Sequence, residues 1–175
     1  MLRAIEAART EVLPDLVATC LAAHMKPRDF DGSEAAYLEH IAAELLPAVR
    51  SGNLAERVDA FVETGAFSPE TILPYLQKAK ALGFAITVHA DQFSTGGSAT
   101  AIRCGAVSAD HLEASGPAEV RALAQSEVIA VALPGASLGL GCGYTPARAL
   151  LDAGACLAIA SDFNPGSAPM GDLTL

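Results

Sequence analysis

The amino-acid sequence predicts a parallel α/β fold, and within that class part of a (β/α)8 barrel. Three observations carry the prediction. From residue 58 onward, strand-like and helix-like segments alternate at about 20–25 residues per unit, the rhythm of repeated βα units. Hydrophobic residues make up 51% of the chain and charged residues 18%, which suits a parallel sheet whose strands are buried on both faces. Lastly, the segments Thr87–Gln92, Ser108–Leu112 and Ala160–Ser167 carry β-type runs that end on His89, His111 and Asp162. Such side chains bind metals or move protons, whereas ordinary buried strands finish in apolar residues or turn formers.

The elements follow in order. Leu16–Ala23 is an apolar run ending at His24 and reads as a first strand. The helix Ser33–Val49 follows, with Ala35, Leu38, Ile41, Ala42, Leu45 and Leu46 on one stripe. Its acidic part, Ser33–Glu44, and His40 are expected to face water. Asp59–Val62 is a short strand. Ser68–Gly83 is a helix with Ser68 as N-cap, Pro69 in the first turn and Gly83 as its stop. Phe84–His89 is a strand, Ser98–Cys104 a short helix closed by Gly105, and Val107–His111 the next strand. Pro117–Gln125 is a helix, Val128–Leu133 an apolar strand, Pro146–Ala153 a helix ended by Gly154, and Cys156–Ser161 a strand.

Six strands result, ending near His24, Glu63, His89, His111, Pro134 and Asp162. An open doubly wound sheet gathers its active residues at one crevice. A barrel draws them from the C-terminal ends of many strands, and that is the pattern here. A complete barrel has eight strands and typically 200 residues or more, so residues 1–175 are expected to form one partial barrel domain of about six βα units. Met170–Leu175, which follows the last reactive loop with no closing helix, agrees with that expectation.

Composition excludes several classes of function. A net charge of −9 argues against nucleic acid or an anionic membrane as partner, because both need a basic surface. No apolar run approaches the roughly 18 residues that span a bilayer, and the first residues lack the apolar core of a signal peptide. Cys20, Cys104, Cys142 and Cys156 show no C-x-x-C pairing. They read as reduced core or loop thiols of a cytoplasmic protein.

His89 and His111 lie 22 residues apart, one βα unit, and Asp162 lies two units further along. Neutral imidazole together with carboxylate suits a divalent metal such as zinc or iron, which lowers the pKa of a bound water. The loop from Asp162 to Ser167 is rich in turn formers. It is either a tight connection or a set of hydrogen-bonding groups, with Asn164, the Gly166 backbone and Ser167 facing a polar ligand. Glu63 is either a cap or a group near substrate, and Asp91 and Asp110 either orient an imidazole or pack in turns. The glycines at 139, 141 and 143, with Asp162 about 20 residues on, superficially match a dinucleotide fingerprint. Tyr144 stands where its third glycine belongs and the glycines begin late after the strand, so the segment is read as a flexible loop at the barrel mouth.

Taken together, HADQFS (His89–Ser94), GAVSADHLE (Gly105–Glu113), VALPG (Val131–Gly135) and ASDFNPGSAP (Ala160–Pro169) resemble imidazolonepropionase, of the metal-dependent amidohydrolase superfamily. The resemblance extends upstream through LAAHMKP (Leu21–Pro27), ELLPAV (Glu44–Val49) and ETGAFS (Glu63–Ser68). It implies an amidohydrolase-type barrel that uses one divalent metal, zinc or iron, and hydrolyses 4-imidazolone-5-propanoate to N-formimino-L-glutamate. Carried over by position, it makes His89 and Asp162 metal ligands, with Asp162 also passing a proton to the departing ring nitrogen. His111 becomes a catalytic acid/base, His24 and Gln92 contacts to the ring, and Asn164, Gly166 and Ser167 contacts to substrate or product. It further implies a cytoplasmic protein with a small-molecule substrate, and a homodimer for the full-length form. One departure stands out: enzymes of this type also bind metal through an H-x-H pair on the first barrel strand, and no H-x-H occurs in this sequence. The match is thus to a central-to-C-terminal piece, expected to bind metal weakly, to expose aggregation-prone sheet edges and to be inactive alone. Another cyclic amidohydrolase, or a non-catalytic α/β ligand-binding domain, are the competing readings.

Overall fold

The computed structural model describes residues 1–9, 11 and 15–173; the last two residues of the predicted C-terminal segment therefore lie outside the described residues. A short helix α1 (Leu2–Ala8) precedes strand β1 (Thr19–Ala23). Helix α2 (Glu34–His40) runs through a π-helical turn at Ile41–Leu45 into α3 (Leu46–Ser51). The repeat then proceeds as β2 (Arg57–Val62), α4 (Pro69–Ala81), β3 (Ala85–Ala90), α5 (Gly97–Cys104), β4 (Ser108–His111) and α6 (Pro117–Ala124). It closes with β5 (Ile129–Ala132), α7 (Pro134–Leu140), α8 (Ala147–Asp152) and β6 (Leu157–Ile159).

All neighbouring strands pair in parallel, and the sheet order equals the sequence order from β1 to β6. That unbroken order is the path of a barrel wall, each strand laid beside the last by a crossover helix. Ser68 caps α4 by accepting from the Thr71 amide at 3.2 Å, with Pro69 at the first helical position. Helix α5 stops where Gly105 turns left-handed at φ 61°, a conformation glycine adopts without a Cβ penalty.

The strands alternate cleanly between two faces. Val58, Ala60, Val62, Ile86, Val88, Ala90, Ala109 and Ala130 join one core cluster with the buried faces of the helices, including Leu46, Ile72, Leu76 and Leu123. The opposite face carries Arg57, Asp59, Thr87, His89, Ser108 and Asp110, which line an open cavity. The expectation of strands buried on both faces holds at the centre, where Asp59, Thr87 and Ser108 of this second face are buried, and fails at β6, where Ala158 and Ile159 are exposed. Helices cover one face only, and the other has the polar character of a barrel interior near its site.

The stripe predicted for Ser33–Val49 is followed only in part. Leu38, Ile41, Ala42 and Leu46 are buried as their stripe predicts, but Ala35 and Leu45 are exposed, while Tyr37 and Val49 are buried instead. The wide turn at Ile41–Leu45 shifts the helical phase beyond it, so a stripe read at a constant 3.6-residue period misplaces Leu45; the exchange of Ala35 for Tyr37 precedes the turn. Glu34, Glu39, His40 and Glu44 do face solvent. The four cysteines are free thiols. Among the described residues no helix is long and apolar enough to cross a membrane.

Candidate active site

The C-terminal strand ends meet at a cavity of about 450 Å³ lined by His24, His89, Gln92, His111, Asp162, Asn164, Gly166 and Ser167, along with Leu21, Phe61, Phe93 and Leu140. All eight positions singled out in the sequence therefore share one cavity. The βα repeat explains this placement. Register pairs Phe61 with His89, His89 with Asp110, and Ala90 with His111, so equivalent positions of successive strands arrive at one level.

His89, near the end of β3, is fixed from below. Its Nδ1 lies 2.7 Å from an Asp59 carboxylate oxygen, and the other oxygen of Asp59 accepts from the Thr87 hydroxyl. Asp59 is itself buried in the middle of β2. Holding Nδ1 in this way sets the ring orientation and leaves Nε2 as the nitrogen for the cavity. Burial opposes a charge on His89. The Asp59 hydrogen bond, with the carboxylates of Asp59, Asp110 and Asp162, outweighs it and raises the pKa. His24 lies on the rim, stacked on Phe61 with centroids 5.1 Å apart and edge-on to His89 at 6.3 Å. Burial and the neighbouring His89 lower its pKa, against an opposing pull from Asp59. Asp110 is pushed up to about 6, chiefly by burial and against a hydrogen bond from Ser108.

His111 ends β4 and is almost wholly enclosed, its ring centroid 5.4 Å from that of His89. Its backbone is left-handed at φ 85°, as are Leu112 at 68°, Asp91 at 49° and Asp162 at 52°. Non-glycine residues held there cost of order 1–3 kcal/mol each and persist only where the surroundings enforce them. Here the enforcing contacts are visible: the Thr145 hydroxyl donates to the His111 carbonyl, and the Leu112 amide donates to the Ala90 carbonyl at 3.0 Å.

The loop after β6 is organised by its own side chains. The Asn164 amide nitrogen donates to the Asp162 carbonyl at 2.7 Å and to the Ser167 hydroxyl at 2.8 Å, while its oxygen accepts from the Gly166 and Ser167 amides. Ser167 in turn donates to the Asp162 carboxylate at 3.1 Å. The polar groups of Asn164, Gly166 and Ser167 thus line the cavity, yet they spend these hydrogen bonds in holding the loop and Asp162.

Helix α7 takes in Gly139 and Leu140 of the segment expected as a loop, while residues 141–146 lie outside any helix or strand. A Cβ on Gly139 would come within 1.8 Å of the Ser167 carbonyl oxygen, so the bare backbone there admits the reactive loop against the helix. The alternatives left open for the flanking acids also resolve. The buried Glu63 carboxylate accepts from the Phe93 and Ser94 amides at 2.9 and 3.1 Å and from the Ser94 hydroxyl, so it ties β2 to the loop after β3. Asp91 is fully buried and accepts from the Gly96 and Ser98 amides and the Ser115 hydroxyl. It is Asp59, and neither Asp91 nor Asp110, that grips an imidazole. Sequence reading passed over Asp59; the available signal was an acid inside the apolar run 57–62.

Imidazole and carboxylate are the right donors for zinc or iron, and His89 has the anchored ring typical of a metal-binding histidine. Their number falls short, however. Among the described residues no three His, Cys, Asp or Glu side chains gather as a metal site, whereas a catalytic zinc uses three protein ligands.

The sheet order and helix placement are those of a partial (β/α)8 barrel wall of six parallel strands. Solved structures agree on the fold. A zinc-bound adenosine deaminase from Xanthomonas campestris superposes with a TM-score of 0.65 at 21% identity, covering 90% of this chain and 38% of its own. A triazine hydrolase variant gives 0.65 at 16% identity, covering 95% and 42%. Sequence narrows the match to imidazolonepropionases. That of Bdellovibrio bacteriovorus is 50% identical over 160 residues, 91% of this chain and 38% of the relative. The enzyme of Rubrobacter xylanophilus is 48% identical over 168 residues, covering 95% and 40%. No protein-family model matches the chain. The chain thus spans about 40% of the length of the curated relatives it matches.

Proposed function

We propose that this chain carries the central-to-C-terminal part of an imidazolonepropionase site, which hydrolyses the cyclic amide of 4-imidazolone-5-propanoate to N-formimino-L-glutamate. The observation that supports the reading best is the convergence of His24, His89, Gln92, His111, Asp162, Asn164, Gly166 and Ser167 on one cavity. In this reading His89 and Asp162 hold part of the coordination sphere of one zinc or iron ion, two ligands being fewer than a catalytic zinc takes. The metal, when bound, supplies an activated water and a Lewis acid for the ring carbonyl.

The chain's own residues do the rest. His111 donates to or accepts from the reacting oxygen, and Asp162 moves a proton towards the departing ring nitrogen. His24 and Gln92 position the ring. The Asn164–Ser167 loop meets substrate by exchanging some of its internal hydrogen bonds. With two metal donors among the described residues, the isolated chain is expected to bind metal weakly and to show no turnover.

A chimera tests this. The matching stretch of the Bdellovibrio relative is replaced by this chain, and loss of the imidazolone absorbance is followed with zinc or iron present. The expected result is hydrolysis that disappears in His111→Asn and Asp162→Ala. A folded, metal-loaded chimera without hydrolysis would overturn the reading.

A further inference from the structure

Glu113 lies just beyond β4 in the DHLE run, and its side chain is turned inward with only 2% exposure, the same as that of His111. The Ser137 hydroxyl of α7 donates to Glu113 Oε1 at 2.8 Å. That same oxygen lies 3.5 Å from His111 Nδ1. Two atoms of this pair, His111 Nδ1 and Glu113 Oε2, are fully buried and have no hydrogen-bond partner. Leaving such buried groups unmatched is costly, so a carboxylate and an imidazole nitrogen that lie this close have a strong reason to share a proton. The ends of the pair are held: Thr145 and the left-handed backbone fix His111, and Ser137 fixes Glu113.

We infer that Glu113 is a positioning residue for His111: it accepts the Nδ1 proton and so leaves Nε2 unprotonated and directed to the cavity. The inference rests on the reading of His111 as the acid/base and adds what sets its tautomer. Without an acceptor at Nδ1 the neutral ring would divide between two tautomers, and only one offers a lone pair to the cavity. Asp59 does the equivalent for His89 at 2.7 Å, so two neighbouring imidazoles are each backed by a carboxylate from a different element. The Ser137 contact also assigns a task to α7, which presents this hydroxyl from the far side of Glu113.

The test reads the tautomer directly and needs neither metal nor turnover. The full chain is labelled with 15N-histidine, and the ring nitrogens are recorded by long-range proton–nitrogen correlation at a pH where His111 is neutral, with the His111 signals identified by their loss in His111→Asn. In the wild type His111 is expected wholly as the Nδ1–H form. Glu113→Leu, shown by circular dichroism to be folded, is expected to give a mixture, and Glu113→Gln an intermediate pattern, because an amide can present either oxygen or NH2. An Nε2–H form in the wild type would overturn the inference without any variant, and so would an unchanged pattern in folded Glu113→Leu. In the chimera, Glu113→Gln is expected to lower kcat at least tenfold with KM little changed. A correct tautomer with no hydrolysis in the chimera would instead count against the proposed reaction and leave Glu113's role standing.

Discussion

His89 and Asp162 line one cavity, yet the molecule holds them by different means. His89 stands in the middle of the sheet, gripped through Asp59, which also accepts from Thr87, a residue of the strand that carries His89. Asp162 follows a three-residue edge strand whose residues are largely exposed, and its support is a ring of hydrogen bonds inside its own loop. In the centre Asp59 and Thr87 are buried, so removing one partner leaves the other poorly matched. At the edge water can take the place of a lost partner. The difference teaches that one half of this site is built into the folded core, while the other is a local loop seated against α7.

The sharpest way to break this comparison is Asp59→Ala. It leaves the His89 Nδ1 and the Thr87 hydroxyl without their buried acceptor and is expected to cost about 3 kcal/mol in urea unfolding. A loss under about 1 kcal/mol would mean that the centre is as replaceable as the edge.

Glu63 gives a middle case with a pH signature. Burial alone would raise its carboxyl pKa, but hydrogen bonds from the Ser94 hydroxyl and from the Phe93, Thr64 and Ser94 amides overcome this and hold it below 4.5. A depressed carboxylate contributes stability that is fully present above its unfolded value and lost as pH falls through the folded one. Glu63→Gln is therefore expected to cost about 1–2 kcal/mol near neutral pH, with the gap closing as pH falls below 4.5. Denaturation curves for both proteins at neutral and acid pH decide it, and a gap independent of pH would refute the assignment.

The smallest effect belongs to the loop. Asn164→Ala is expected to cost under about 1 kcal/mol globally while speeding hydrogen exchange at the Gly166 and Ser167 amides, which donate to its oxygen at 2.8 and 2.9 Å. A global loss equal to that of Asp59→Ala would erase the distinction between the two regions.

Much of this arrangement was legible in the sequence. A β-branched run that stops at His89, a short strand-like run that stops at His111 one unit later, and the turn-rich loop at Asp162 together give the strand ends and their shared level. Asp59 was hidden because its partner lies 30 residues away on the adjacent strand. Helix α7 was hidden because glycines at 135 and 139 look like loop residues, and only the packed Ser161 and Ser167 carbonyls explain their bareness. The one-residue phase shift at Ile41–Leu45 has no signature in the hydrophobic stripe.

By itself, then, the sequence determined the parallel βα repeat, the order of the strands, and the residue types waiting at their ends. These follow from local periodicity and turn chemistry, which act over a few residues. Tertiary structure alone decided that helices cover one face of the sheet, that Asp59 carries His89, that Glu113 faces His111, and that the 160s loop binds itself. Each of these depends on which way the assembled fold turns these side chains and what it brings within their reach, and local periodicity leaves that open.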